Sequence, residues 1–360
     1  MTPWSMMQNA GHLLAKNEKE MMMINHKENQ NLWKKDLEAY QSPSLTKSWW
    51  QLINTIVPFM ILWFGAYYCF TISIWLTLLL TIPAAGFLVR TFIIFHDCGH
   101  HSFFKSPMAN DIVGVITGLL TFFPYHQWKY EHSVHHAGNG NLNRRGMGDI
   151  TTLTVDEYLR SPLVTRLLYR LYRNPLVMFG LGPIFLVLVQ YRFNRRGAGP
   201  RERFNTHLTT AILAGLVTLG CFGLGWERFL LVEGTILYLA GMAGIWLFYV
   251  QHQFEDSYFE SAENWDYVTA ALQGSSYYKL PKVLQWMTGN IGFHHIHHLG
   301  PRVPNYNLQK IYNKVAYLQK VPTVGVFSSL RSLRFRLWDE DKKKFIGFKG
   351  ATRLKSNARW

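Results

Sequence analysis

Residues 48–89 read SWWQLINTIVPFMILWFGAYYCFTISIWLTLLLTIPAAGFLV, 42 consecutive positions without Asp, Glu, Lys, Arg or His. A helix needs roughly 20 apolar residues to cross the hydrocarbon of a bilayer, so this run holds two. Its hydrophobicity is weakest at Thr71–Ser73, where a tight turn is expected. Trp49 and Trp50 open it, at the depth where interfacial aromatics collect. A buried hairpin of a soluble protein is the alternative, and an uncharged run of this length argues against it. The second arm is expected to end over Arg90–Phe95. A second hairpin spans Phe204 to Phe254, broken by Glu227-Arg228 and carrying Glu233 inside its second arm. That arm is expected to end at Val250, with His252 following in V-Q-H-Q-F-E-D.

Charge orients these hairpins. The chain has 360 residues, 37 Lys and Arg against 22 Asp and Glu, and is 48% hydrophobic. With four crossings, 36 of the 37 basic residues fall on one side of the membrane, and the positive-inside rule makes that side cytoplasmic. Two shorter apolar stretches, Ile112–Phe123 and Pro175–Val189, are read as interfacial or re-entrant elements. If the first crossed alone, the histidine clusters on either side of it would face opposite compartments. A paired extra crossing, giving six, is compatible with this parity. The resulting division is a cytoplasmic N-terminal arm over 1–47 and a first transmembrane hairpin over 48–95. A cytoplasmic and interfacial segment over 96–203, a second hairpin over 204–251 and a cytoplasmic cap over 252–360 follow. The fold class is thus an all-α integral membrane protein in the cell (plasma) membrane, both termini cytoplasmic. Met21 to Met23 beside Ile24 fit a frayed terminus touching a membrane surface, and no cleavable signal peptide is visible before Lys47. Arginines 160, 166, 170 and 173 are expected to face lipid phosphates. The tail around Lys342–Lys344 reads as solvated charge. Cys69, Cys98 and Cys221 are too few and scattered for a disulfide framework or a thiolate metal site.

Histidine carries the chemistry. Gly292 to Gly300 reads G-F-H-H-I-H-H-L-G, placing His294, His297 and His298 at i, i+3 and i+4 on one helix face. His132, His135 and His136 repeat the H-x-x-H-H spacing, and His96 and His100 form H-x-x-x-H. Clustered imidazoles repel if protonated and lack partners if buried; a metal takes them neutral and resolves both costs. With His252 these make nine candidate ligands, more than one zinc ion uses. Imidazole itself suits iron, zinc, copper or nickel. Each cluster lies close to the cytoplasmic end of an apolar helix, where lipid chains offer unactivated C–H bonds and esters. Attack on such a C–H bond requires a strong oxidant, which oxygen on two irons supplies.

These three boxes, in this order relative to two hairpins, resemble the membrane fatty acid desaturases, over roughly Trp49 to Trp338. The first box H-D-C-G-H, with three intervening residues, is similar to the acyl-lipid branch. Further segments resemble the acyl-lipid Δ5 desaturases of bacilli: G-N-L-N-R-R-G-M-G-D-I, Y-R-L-Y-R-N-P-L-V-M-F-G-L-G-P, W-L-F-Y-V-Q-H-Q-F-E-D-S-Y-F-E and V-P-N-Y. The resemblance implies O2-dependent introduction of a cis double bond into saturated acyl chains of membrane phospholipids. It implies two iron ions held by His96, His100, His132, His135, His136, His294, His297 and His298. His252 matches the additional ligand from the last membrane helix. The chain has no H-P-G-G haem motif, so a separate donor such as ferredoxin or flavodoxin is expected to supply electrons; nucleic acid is not an expected partner. Asp97, Asp149 and Asn290 are read either as groups supporting the ligands from behind or as loop and cap residues.

His101, His126 and His295 break the spacing and are read as surface or supporting residues; His12, His26 and His207 are assigned nothing. Cys98 is read as a packed thiol. The phenylalanines around the boxes read as core and lipid-facing, some as lining an acyl tunnel. Two rival functions use the same histidines. One is hydroxylation of an alkane, sterol or carotenoid by the same oxidant. The other is a histidine-lined metal transporter, which would place imidazoles mid-membrane along a pathway.

Overall fold

The computed structural model describes residues 32–351; Met21 to Met23, Ile24, His12 and His26 lie outside the described residues, as does the end of the basic tail. After a short helix α1 (Leu32–Glu38), two long antiparallel helices follow, α2 (Leu45–Cys69) and α3 (Ile74–Gly99). Next come α4 (Pro107–Thr121), α5 (Tyr125–Gly138), α6 (Val155–Arg160) and α7 (Leu163–Tyr172). A π-helical turn over Leu176–Leu181 leads into α8 (Gly182–Leu188). The second long pair is α9 (Pro200–Leu224) and α10 (Trp226–His252). The C-terminal part contributes α11 (Tyr267–Gln273), α12 (Lys282–Met287), α13 (His294–Leu299) and α14 (Asn305–Lys314).

Helices α2, α3, α9 and α10 are each long and apolar enough to span a bilayer. Their outward faces carry large exposed apolar side chains such as Ile61, Trp75, Leu219 and Phe222. In water such surface would aggregate; against lipid chains it is at no disadvantage. The inward faces form one core from Phe59, Trp63, Ala84, Leu88, Val232 and Ile236. Polar side chains within it are paired, as hydrocarbon requires. Trp63 Nε1 donates to Glu233 Oε2 at 2.7 Å, and Thr77 Oγ1 donates to the Ala66 carbonyl at 3.1 Å.

Two further helix pairs are apolar but sharply bent, α4 with α5 by 99° and α7 with Leu176–Arg192 by 61°, so the number of crossings is four, or up to six. The rings of His96 and His132, before and after α4, lie 4.7 Å apart. The chain therefore returns to the same side between them, as a shared site demands. At the α4–α5 bend, Phe122 adopts the left-handed region (φ 65°) and Gly118 lies under the returning chain.

The chain beyond the second hairpin folds over the ends of α3 and α10 as a cap. Its core joins Leu37 of α1 to Leu272, Phe293, Ile296, Leu299 and Ile311. Five very short strands add what the helical reading did not contain. β1 (Leu153–Thr154) pairs in parallel with β4 (Leu337–Asp339), which pairs antiparallel with β5 (Lys344–Ile346). β2 (Tyr277–Lys279) and β3 (Thr323–Gly325) form a parallel pair. The C-terminal segment is therefore strapped to the middle of the chain. Tyr249 Oη donates to the Ser332 carbonyl at 2.7 Å, and Lys343 Nζ meets Glu260 at 2.8 Å.

An added methyl at Gly118 would lie 2.6 Å from the Phe123 carbonyl oxygen and 3.1 Å from the Phe95 ring. A backbone oxygen cannot swing aside, so Gly118→Ala is expected to cost about 1–3 kcal/mol. Gly215→Ala, with nothing within 4 Å, is expected to be neutral or mildly stabilising. Thermal unfolding of the purified variants in detergent checks this, and equal midpoints would refute the packing at the bend.

Candidate metal centre

Helix α3 runs through Gly99, past the Arg90–Phe95 end expected from sequence, so His96 rides on its last turn and His100 is its C-cap. Helix α10 likewise continues through His252. Both deliver a histidine from a C-terminal end, and α3 and α10 pack along each other, so those ends meet. Helix α5 brings box two and the six-residue α13 brings box three.

The nine histidines sort into two groups. His96, His100, His132, His136 and His297 form one, and His135, His252, His294 and His298 the other; within each, one ring nitrogen per residue lies within 4.8 Å of the rest. The sorting follows helix geometry. His132 and His136, one turn apart, share the first group, while His135, turned away by about 100° from its neighbour His136, joins the second. Box three mirrors this: His294 and His298 share the second group and His297 crosses to the first. Box one completes the first group and His252 the second.

The donor atoms converge through Nε2. In the second group His252 Nε2 lies 2.9 Å from His294 Nε2 and 3.2 Å from His135 Nε2, with His298 Nε2 3.2 Å from His294 Nε2. In the first, His136 Nε2 lies 2.9 Å from His297 Nε2 and 3.1 Å from His132 Nε2. Donors bound to one ion at about 2.0–2.1 Å, near right angles to one another, stand ~2.9 Å apart. The spacing found here matches that.

Outer partners fix the tautomers. His252 Nδ1 faces the Gly274 carbonyl at 3.1 Å, and His96 Nδ1 faces Asp97 Oδ1 at 3.3 Å. A carbonyl or carboxylate oxygen only accepts, so Nδ1 carries the hydrogen and Nε2 presents a lone pair. In the second group His252 thus aims a lone pair at two other Nε2 atoms, and the buried Nδ1 atoms of His135 and His294 have no partner. In the first group the buried His100 Nε2 has none either. Hydrogen bonds among imidazoles cannot satisfy both convergences; a cation in each can. Burial, and after it the neighbouring imidazoles, hold His294, His297 and His298 well below the usual histidine range. They are therefore neutral, as ligands must be.

Asp97 is buried and its Oδ2 accepts from the Asn305 backbone N at 2.7 Å and side-chain Nδ2 at 2.8 Å. Gln51 Nε2 donates to Asn305 Oδ1 at 3.0 Å. Asp97 is thus a buried anchor that orients His96 and bolts the box-one helix to the cap. Asp149 accepts from the Gly146 backbone N at 3.1 Å, and burial raises its carboxyl to about 6. Its neighbour Gly148 (φ 72°) lets that loop lie on α5, where a Cβ would meet the Glu131 carbonyl at 2.5 Å. Asn290 takes the left-handed region (φ 60°) in the turn before box three and donates to the Asn305 carbonyl.

The remaining described histidines lie outside both groups. His101 Nε2 meets Asp111 at 2.9 Å near the surface, beside Lys129 and Arg201 on the same carboxylate. His126 is half-buried next to Arg201. His295 is fully buried with Nε2 on the Leu318 carbonyl at 3.0 Å. His207 pairs with Asn194 at 2.9 Å. Cys98 is fully buried among Phe95, Phe103 and Tyr125. Arg173, read from sequence as facing lipid, is instead fully buried, its guanidinium on Gln253 Oε1 at 2.8 Å and the Phe335 carbonyl at 2.9 Å. Sequence reasoning also missed Trp128, stacked on the His132 ring at 4.4 Å, although its position one turn before His132 was a usable signal. Phe248 covers His135 and His252, each at 5.0 Å. These aromatic rings keep water from the donors.

Helices long and apolar enough to span a bilayer, with two histidine groups able to hold metal ions gathered where two of them end, define a membrane protein with a candidate metal centre. Comparisons with known proteins specify the class. The fatty acid desaturase family model matches residues 73–323. A fatty acid desaturase of Bacillus subtilis (strain 168) is 54% identical over 326 residues, covering 91% of this chain and 92% of that protein. An sn-1 oleoyl-lipid 12-desaturase of Synechocystis is 27% identical, covering 73% and 74%. An sn-1 acyl-lipid omega-3 desaturase (ferredoxin) of Nostoc is 26% identical, covering 76% of each chain. The chain belongs to the fatty acid desaturase family and is an oxidoreductase.

His252→Ala removes one of four donors from the second group. The variant is expected to retain less metal, losing up to the content of that group while the first stays loaded, as elemental analysis of the purified protein would read. Asp97→Ala is expected to weaken metal retention by about 10–100-fold, measured by competition with a chelator. Unaltered retention in either variant would remove that residue from the centre.

Proposed function

We propose that this protein is an O2-dependent acyl-lipid desaturase that introduces a cis double bond into saturated acyl chains of membrane phospholipids. The observation that carries this reading is the double convergence of Nε2 atoms where two helices long enough to span a bilayer end. The substrate class is supported by the acyl-lipid and oleoyl-lipid desaturases among the relatives. The Δ5 position rests on the segments that resemble the desaturases of bacilli.

In this reading His96, His100, His132, His136 and His297 hold one iron and His135, His252, His294 and His298 the other. Once bound, the iron pair supplies, with O2, the oxidant that an unactivated C–H bond requires. The protein's part is positional. Asp97 and the Gly274 carbonyl aim His96 and His252, and Trp128 and Phe248 exclude water. Electrons come from a ferredoxin or flavodoxin; the name of the Nostoc relative includes ferredoxin. The basic asymmetry of the chain supports cytoplasmic termini, in a protein that this reading assigns to the plasma membrane. A transporter is disfavoured because the imidazoles are gathered under a cap rather than strung along a path.

The test is the fatty-acid profile of a desaturase-free bacterium expressing the chain, read by gas chromatography–mass spectrometry with double-bond location. New monounsaturated chains in the phospholipids are expected from the wild type and from His207→Ala. None is expected from His297→Ala, although that variant still inserts in the membrane. Hydroxylated chains would overturn the reaction while keeping the site, and desaturation by His297→Ala would overturn the site.

A further inference from the structure

Behind the third histidine box the surface carries a cleft lined by none of the nine histidines. A cleft of about 480 Å³ lies between α1 and the end of α13, lined by Trp33, Lys34, Glu38, Tyr267, Gly300 and Arg302. At its floor Tyr267 Oη donates to the His298 carbonyl at 2.6 Å and approaches the Leu299 carbonyl at 3.3 Å. His298 is a member of the second group. Outward, the Trp33 and Tyr267 ring centres are 6.2 Å apart. Sideways, Trp265 lies 6.4 Å from Tyr267 and its Nε1 donates to the Asn139 carbonyl at 2.8 Å, just beyond box two. One aromatic cluster at the surface is thus hydrogen-bonded to the backbone behind both the second and third boxes.

We propose that this cleft is the docking surface for a small acidic one-electron carrier protein, and that Trp33 and Tyr267 are its path to the histidine centre. The inference rests on the desaturase reading. That reaction breaks two C–H bonds and forms one C=C bond while O2 is reduced to two waters. Two of the four electrons and two of the four protons come from the acyl chain. The other two electrons come from two encounters with a reduced iron–sulfur or flavin carrier, and the other two protons from solvent. Electron tunnelling falls steeply across gaps and slowly across covalent and hydrogen bonds, so the route through Tyr267 and His298 is favoured over the apolar sides. Lys34 and Lys35 are exposed on α1 and Arg302 is exposed beside it. Among the described residues no carboxylate pairs with any of the three, whereas Glu38 is the one acid lining the cleft. Cations without a carboxylate partner around an aromatic floor, Lys34 lying over the Trp33 ring at 5.7 Å, fit an acidic partner better than a lipid surface, and such charge acts on encounter rate and salt dependence.

Tyr267 also satisfies terminal carbonyls of α13, a purely structural role, and the experiment separates the two. The probes are an oxidised [2Fe–2S] ferredoxin and a flavodoxin, titrated onto the iron-loaded full-length protein in nanodiscs. Anaerobic reduction of the iron-loaded protein follows, by each reduced carrier and, separately, by dithionite. At least one carrier is expected to bind in a salt-sensitive manner. The double variant Lys34→Glu/Arg302→Glu should weaken that binding by about tenfold at low salt and leave the dithionite rate unchanged. Tyr267→Phe should keep the binding and slow reduction by the carrier several-fold, again with the dithionite rate unchanged. Binding of neither carrier, or unaltered binding by the charge-reversal variant, overturns the surface. A Tyr267→Phe variant slowed equally with both reductants, or with neither, overturns the path. Failure of the desaturase reading would appear instead as wild-type protein that makes no double bonds in cells while its binding here is intact.

Discussion

Nine imidazoles, eight of them buried, whose ring nitrogens converge in two groups are the constraint on which this structure depends. Without a cation each convergence is an unsatisfied cluster of acceptors in a dry interior, a costly arrangement. With one, the same atoms become ligands, and binding energy becomes folding energy. The rest of the architecture serves to bring four separated segments to that point. The parallel packing of α3 on α10 sets two helix ends side by side. The 99° bend after α4 returns α5 to the same side. The cap then lowers α13 onto the gap, held from behind by Asn305 on Asp97.

The exchange of His135 and His297 between the two groups has a structural consequence. Were each box to serve its own metal, the boxes could move independently. Because boxes two and three each contribute to both groups, a shift of α5 or α13 disturbs both at once. The two groups are therefore a single mechanical unit. Support such as Tyr267 on the His298 carbonyl, which holds box three, bears on both groups, although it touches one.

Much of this was legible in the chain. Forty-two uncharged residues are long enough for two crossings and argue against a soluble hairpin, and the spacing of the boxes named the histidines that meet. What could not be read was the partition into two groups, because spacing gives a residue's direction on its own helix but not the direction of the neighbouring helices. Helix ends were misjudged for a related reason. Arg90 reads as a boundary charge, yet it is buried within α3, its Nε on Thr55 Oγ1 at 3.0 Å and its guanidinium over the Trp286 ring at 4.1 Å. Arg173 was misplaced likewise, since only tertiary contacts show that its partners are carbonyls rather than phosphates. The short strands pair residues far apart in sequence, such as Leu153 with Leu337, and a two-residue strand leaves no alternation to detect.

The location of the centre follows from what must reach it. Under the proposed function one reactant is an acyl chain soluble only in the bilayer, and another is an electron carried by a water-soluble protein. A site deep in the hydrocarbon would be closed to the carrier, and one on the cap surface would be closed to the chain. The ends of α3 and α10 are where both can approach within a few residues' distance. There Trp128 and Phe248 face the membrane-side rings, while Tyr267 and Trp265 hold the opposite backbone. Water must be excluded from the first face and a polar protein admitted to the second. An all-apolar cap would satisfy only the first requirement, and an open polar one only the second. A dry histidine core backed by a thin aromatic, hydrogen-bonded layer satisfies both.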